Sequence, residues 1–188
     1  RHAAARGDAR FVFIEANPRL QVEHTITEEI TGVDLVATQI RLAAGERLAD
    51  VGLGGEPPRP EGVAIQLRVN METLRPDGSV RPAGGRLERY DPSSGLGVRV
   101  DGFGYAGYAT SPRYDSLLAK LIVHSRAADF AAGSRRAQRA AAEFAIVGVP
   151  TNLPMLRSLL AQVPLAAGGF DTLYVERQAA EILAGVDE

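Results

Sequence analysis

Residues Gly52 to Gly62 read GLGGEPPRPEG, almost entirely glycine, proline and glutamate. Glycine leaves such a stretch with a large backbone entropy to lose, and proline withholds N–H donors, so neither a helix nor a strand survives it. The chain is therefore expected to divide into a part at residues 1–51, a linker at 52–62 and a second part at 63–188.

The two flanking parts have different patterns. Before the linker, Arg10 to Asn17 (RFVFIEAN) is β-branched and aromatic and predicts a strand. Thr25 to Gly32 predicts a short helical turn closed by Gly32. Asp34 predicts the cap of a helix to about Ala44 with Leu35, Val36, Ile40 and Ala43 on its apolar face and Gly45 ending it. After the linker, Val63 to Asn70 alternates strictly: Ile65, Leu67 and Val69 share one face, and Gln66, Arg68 and Asn70 the other. Short strands are expected at Gly85–Tyr90 and Leu96–Val100 around a turn at Asp91–Gly95. Leu117 to Val123 predicts a buried strand, Ala127 to Phe144 a helix, and Asn152 the cap of another helix through Leu160. Antiparallel strands followed by helices make the second part α+β.

Composition removes several function classes. There are 21 Lys plus Arg against 23 Asp plus Glu, a net charge of -2. That balance gives no electrostatic case for nucleic acid or an anionic membrane. No apolar run is long enough to span a bilayer, and no apolar signal core follows Arg1 to Asp8, so a cytoplasmic location is expected. The absence of cysteine excludes disulfides, thiolate zinc sites and cysteine nucleophiles. Lys120 is the only lysine, and no glycine-rich loop leads into Gly-Lys-Ser/Thr, so a classical P-loop is absent.

The segment Phe13 to His24 (FIEANPRLQVEH) carries the most chemistry. If the backbone stays extended through Pro18, period two places Glu15, Asn17, Arg19, Gln21 and Glu23 on one face, with Val12, Ile14, Ala16, Leu20 and Val22 mostly toward the core. Glu15 and Asn17 offer hard oxygen ligands for Mg²⁺, which keeps water and substrate phosphate as its other ligands. Arg19 offers planar paired donors to a small oxyanion such as bicarbonate or phosphate. Glu23, beside that cation, can take a proton as general base. The alternative is an exposed strand edge whose charges pair with one another.

FIEANPRLQVEH followed by TITEEITGVDL resembles the signature of the biotin carboxylase component of biotin-dependent carboxylases, an ATP-grasp enzyme. The resemblance continues in order through Ala64–Asn70, Gly97–Asp101, Tyr114–Leu121 and Gly148–Asn152. It implies that residues 1–51 are the tail of an ATP-grasp domain and 63–188 the biotin carboxylase C-terminal domain. It further implies Glu15 and Asn17 as ligands of Mg²⁺ (or Mn²⁺) on ATP. Arg19, Gln21, the Val22 backbone and Glu23 would then be the bicarbonate site, with Glu23 as base. Arg68 would stabilise the biotin enolate. Leu96, Arg99 and Asp115 match interface positions.

The implied partners are a biotin carboxyl carrier, a carboxyltransferase unit and further copies of the chain. Gln66 stands where many members have Glu. The glycine-rich lid, the ATP-binding lysines and the first acidic Mg²⁺ ligand would precede Arg1, with only Ala3 where counting would put that ligand. The chain alone is therefore expected to be inactive. The rival readings are a carbamoyl-phosphate synthetase-like ligase and a non-catalytic assembly fragment.

Outside this segment, His24 is expected to make a structural hydrogen bond and His124 to cap a strand at the surface. Arg135, Arg136 and Arg139 are expected to form a solvated helix face.

Overall fold

The computed structural model describes residues 13–127, 129–162 and 171–186. Its centre is an antiparallel sheet in the order β1 (Val63–Asn70), β6 (Leu117–Ser125) and β5 (Val98–Gly102). Two small antiparallel pairs flank it, β2 (Glu72–Leu74) with β3 (Val80–Pro82) and β4 (Arg89–Asp91) with β7 (Ala145–Val147). The helices are α1 (His24–Thr31), α2 (Leu35–Ala43), α3 (Phe130–Glu143), α4 (Leu153–Ala161), α5 (Tyr174–Arg177) and α6 (Ala179–Ala184). The layout is α+β, as expected from the second part of the sequence.

The alternation in β1 positions everything else. Leu67 and Val69 join Ala119, Leu121 and Val123 of β6 on one sheet face. There they pack against Ala137, Ala140, Ala141 and Phe144 at the α3 end, and Leu153 and Leu160 of α4. The small alanines let α3 lie close on the sheet, and the apolar area removed from water drives the packing. The opposite face is polar in register. Arg68 pairs with Lys120, Lys120 pairs with Asp101, and one row away Gln66 and Arg99 flank Ile122. Helix α1 and the turn before it lie over this face.

Helix α1 is stopped by Gly32 at φ 71°, a left-handed conformation in which its N–H reaches the Glu28 carbonyl at 2.8 Å. Asp34 accepts from the Ala37 N–H at 2.7 Å and starts α2. No residue of α2 is buried, and Ile40 is 66% exposed, so its apolar stripe faces outward here. Residues 52–62 form no helix or strand. Their end is tied down by Glu61, whose N–H bonds the Ile30 carbonyl and whose own carbonyl meets His124 Nε2 at 2.9 Å.

Four expectations need correction. Phe13–Asn17 is not a strand: a strand persists through its ladder, no described strand pairs with it, and Phe13 and Ile14 are over four-fifths exposed. Residues Arg10 to Val12 lie outside the described residues. The segment Gly85–Tyr90 is mostly irregular, with only an isolated bridge at Arg86. Its strand begins at Arg89 and pairs with β7 rather than with β5. The strand expected at Leu96 starts at Val98, because Leu96 and Gly97 complete the preceding turn. Asn152 precedes α4 without capping it by its side chain, which bonds β1 instead.

Candidate active site

The expected single polar face of Glu15 to Glu23 does not form, because the backbone does not stay extended. The Arg19 N–H bonds the Asn17 carbonyl at 2.8 Å around Pro18, and Glu23 adopts helical dihedrals as it leads into α1. Leu20 is partly covered, whereas Ile14 and Val22 remain exposed rather than facing a core. The row becomes two groups. Glu15 Oε1 accepts from Asn17 Nδ2 at 3.2 Å, and both side chains are open to solvent. Among the described residues Arg19 reaches no carboxylate, and its Nη1 donates to the neighbouring Leu20 carbonyl at 3.3 Å.

The second group is built by the sheet. Arg68, on the polar face of β1, donates from Nη2 to Glu23 Oε2 at 2.9 Å across 45 residues of sequence. Both side chains are about half exposed, at 51% and 52%, so the pair is accessible and weakly held rather than buried. Gln21 contributes its carbonyl, which accepts from the His24 N–H at 3.2 Å and lies 2.8 Å from His24 Nδ1. His24 therefore has the structural role expected of it. The Val22 carbonyl accepts from Lys120 Nζ at 3.2 Å.

Beneath the turn, α1 docks through polar side chains. Thr25 is fully buried and its hydroxyl donates to Gln66 Oε1 at 2.6 Å. Glu28, also buried, accepts from the Leu35 N–H at 2.9 Å and from Arg99 Nη1 at 2.7 Å. Arg99 also donates to Asp101 at 2.8 and 3.0 Å, so its guanidinium is paired within the chain. These hydrogen bonds and charges raise the Arg99 pKa, with Asp101 the largest cause. Burial pushes the Asp101 carboxyl upward, but Arg99 and then Lys120 outweigh it and hold it below the usual carboxylate range. Leu96 is 89% exposed, and Asp115 accepts from the Leu117 N–H at 2.8 Å.

Chemically, the turn presents a carboxylate base, an arginine that can stabilise negative charge, and backbone held from below. Glu15 and Asn17 carry hard oxygens two residues apart, of the kind a cation that keeps water and phosphate as further ligands would take, although here the Asn17 amide nitrogen rather than its oxygen faces Glu15 Oε1. Among the described residues no three His, Cys, Asp or Glu side chains converge into an all-protein metal cage.

A family model described as the biotin carboxylase C-terminal domain matches residues 66–177. The chain belongs to the biotin carboxylase family. A second model, the ATP-binding domain of the carbamoyl-phosphate synthase L chain, matches residues 2–51. Mouse mitochondrial pyruvate carboxylase is 45% identical over 87% of this chain and 14% of its own length. The pyruvate carboxylase of Komagataella pastoris is 49% identical over 80% of the chain and 12% of its own length. The chain thus spans about one-seventh of the length of these pyruvate carboxylases.

Among solved structures, a single-chain, multi-domain long-chain acyl-CoA carboxylase superposes with a TM-score of 0.88 at 47% identity, over 94% of this chain and 19% of that one. The biotin carboxylase domain of Hydrogenobacter thermophilus 2-oxoglutarate carboxylase, in complex with MgADP, ADP and bicarbonate, superposes with a TM-score of 0.84. It is 38% identical and covers 93% of this chain and 37% of that one. No helix among the described residues is long and apolar enough to cross a membrane.

Lys120 was missed as part of the site, because it is 98 residues from Val22 and stands in a strand that is otherwise mostly apolar. The available signal was the lone ammonium within that strand, since a cation there needs partners.

Proposed function

We propose that this chain is the C-terminal part of a biotin carboxylase within a longer biotin-dependent carboxylase. The reaction is the carboxylation of carrier-bound biotin with bicarbonate and ATP, through carboxyphosphate. The observation that carries this reading is the 2.9 Å contact of Arg68 with Glu23. It supports the reading of Glu23 as the base for bicarbonate beside Arg68, on the strand that would meet biotin. Mg²⁺-ATP, when bound, supplies the phosphoryl group that activates bicarbonate. Arg19, Gln21 and the Val22 backbone orient the anion, and Glu23 accepts its proton. Protonation of Glu23 would release Arg68 from its charged partner, and its guanidinium would then be placed to stabilise negative charge on biotin when biotin is bound.

The names of the relatives span pyruvate, long-chain acyl-CoA and 2-oxoglutarate carboxylases. Conversion of bicarbonate to carboxybiotin is the step such enzymes would share, which supports placing this segment before the acceptor is chosen. A biotin carboxyl carrier and a carboxyltransferase unit are the partners that step requires. A second copy of the chain would dock over Leu96, with Arg99 and Asp115 as further contact positions. The division into residues 1–51 and 63–188 about the linker belongs to the same reading.

In an enzyme carrying this segment, radiolabelled bicarbonate should enter biotin in an ATP-dependent manner. Arg68→Ala should reduce that transfer far more than biotin-independent ATP cleavage. Equal loss of both would place Arg68 in phosphate or bicarbonate binding, and no label transfer by the unmodified enzyme would refute the reading.

A further inference from the structure

Three successive carbonyls of the turn that carries Glu23 have different kinds of partner. The Gln21 carbonyl is bonded by His24, and the Glu23 carbonyl by the Ile26 N–H at 3.0 Å, both local backbone closures of the turn. The Val22 carbonyl lies between them and takes its bond from the sheet, through Lys120 Nζ at 3.2 Å. That carbonyl belongs to the peptide whose nitrogen is Glu23 N, so holding it fixes the plane from which the Glu23 side chain departs. The Lys120 side chain is only 11% exposed, and Asp101 Oδ2 takes its charge at 3.3 Å. A charged donor to a backbone carbonyl is stronger than a neutral one, and a sheltered ammonium is held to its two partners.

We infer that Lys120, seated on Asp101, is a positioning residue that sets the Val22–Glu23 peptide and thereby aims the Glu23 carboxylate at bicarbonate. This rests on the reading of Glu23 as the base. Lys120 and Arg68 are register partners on the same face. One grips the backbone before Glu23 and the other grips its carboxylate. The sheet therefore holds the base at two points, and loss of the backbone point lets the carboxylate swing about Arg68. Asp101 is kept ionised by Arg99 and Lys120, so the seat persists at neutral pH.

The test is kinetic, in an enzyme carrying this segment, with Lys120→Met, Lys120→Arg and Glu23→Gln compared side by side. Misplacing a catalytic group by about an ångström costs on the order of 100-fold. Lys120→Met is expected to lose about 10- to 100-fold in kcat/KM for bicarbonate, while the KM for ATP stays within about twofold. Lys120→Arg, which restores a charged donor, should recover most of the loss.

An unchanged kcat/KM for bicarbonate in Lys120→Met would overturn the assignment. So would a parallel loss for ATP and bicarbonate that arginine does not rescue, as from a purely structural lysine. If the methionine variant does not fold, Lys120→Gln carries the same measurement and the same two outcomes. Near-normal turnover of Glu23→Gln would remove the base and Lys120's role with it. A dead Glu23→Gln beside a normal Lys120→Met would remove Lys120 alone.

Discussion

Arg68 and Lys120 stand directly opposite one another on β1 and β6, two cations in one register pair of an antiparallel sheet. Like charges so placed repel. Here each cation has its own anion on the far side, Glu23 at 2.9 Å for Arg68 and Asp101 at 3.3 Å for Lys120. The order across the face is therefore minus, plus, plus, minus. The Val22 carbonyl dipole supplies a further acceptor to Lys120. Neutralising Glu23 by protonation leaves Arg68 unpaired beside another cation, which raises its attraction for any anion that forms nearby. In the proposed reaction that negative charge would lie on biotin when it is bound.

Glu23→Gln keeps size and hydrogen bonding but removes the proton acceptor. Bicarbonate-dependent ATP cleavage should fall by about 10²–10⁴ with little change in ATP affinity. Because the Glu23–Arg68 pair is half exposed, its loss should cost no more than about 1 kcal/mol of stability. Steady-state ADP release and a thermal melt separate the two effects, and turnover near the unmodified rate would take Glu23 out of the mechanism.

Asn152 tests a different part of the frame. Its Oδ1 accepts from the Asn70 N–H at 2.9 Å, its Nδ2 donates to the Arg68 carbonyl at 3.1 Å, and its own N–H bonds the Asn70 carbonyl at 3.0 Å. The side chain thus clasps β1 where its pairing with β6 shifts register, between Val69 and Asn70. Asn152→Ala should cost about 2–3 kcal/mol from largely buried groups left without partners. Asn152→Ser, a good helix cap, should not restore it, because capping is not the role. Chemical denaturation measures both, and full recovery by serine would contradict the clasp.

How much of this was legible varied with the range of the contact involved. The period-two pattern of Ile65, Leu67 and Val69 fixed which face of β1 met the helices, because alternation is a property of the strand itself. The Asp34 cap and the Gly32 stop were equally local. By contrast, β4 pairs with β7 more than fifty residues later, and no local pattern names a distant partner. Helix α1 was legible as a short helical turn closed by Gly32, but its sheet-facing side was not, because Thr25 and Glu28 are polar and meet the sheet through Gln66 and Arg99. The extended reading of Phe13 to Glu23 failed at Pro18, where a turn replaced the assumed straight run. Glu23 and Arg68 could be named from sequence as separate participants, but their contact is a property of the docked helix and sheet.

Tyr90 offers a test of close packing. Its ring meets Phe144 edge-on with centroids 5.4 Å apart, and its buried hydroxyl has no hydrogen-bond partner among the described residues. Gly104 leaves room for that ring, since a Cβ there would stand 2.6 Å from a ring carbon. Tyr90→Phe should keep the ring contact and discard an unpaired hydroxyl, so stability should stay within about 1 kcal/mol or rise. Gly104→Ala should destabilise by about 1–3 kcal/mol through overpacking. Combining the two should not relieve the clash, which is with the ring rather than the hydroxyl. Full rescue in the double variant would misplace the contact.

The last prediction concerns acid. Asp101 is pushed up by burial but held below the ordinary aspartate range by Arg99 and Lys120. Its folded form therefore releases its proton more readily than its unfolded form, and stability rises with pH between the two values. The contribution is fully present above the ordinary aspartate pKa of about 3.9, and it is lost as pH falls through the lower folded value. The unmodified protein and Asp101→Asn should then differ by a constant amount in melting temperature from neutral pH down to about pH 5. Below that the difference should shrink, because the aspartate protonates while the amide has nothing to lose. Scanning calorimetry of both proteins across pH reads this as a difference curve, in which the other carboxylates largely cancel. A difference that stays constant into strong acid would show that Asp101 contributes through packing and hydrogen bonding rather than through its charge. One that grows in acid would reverse the sign of its shift.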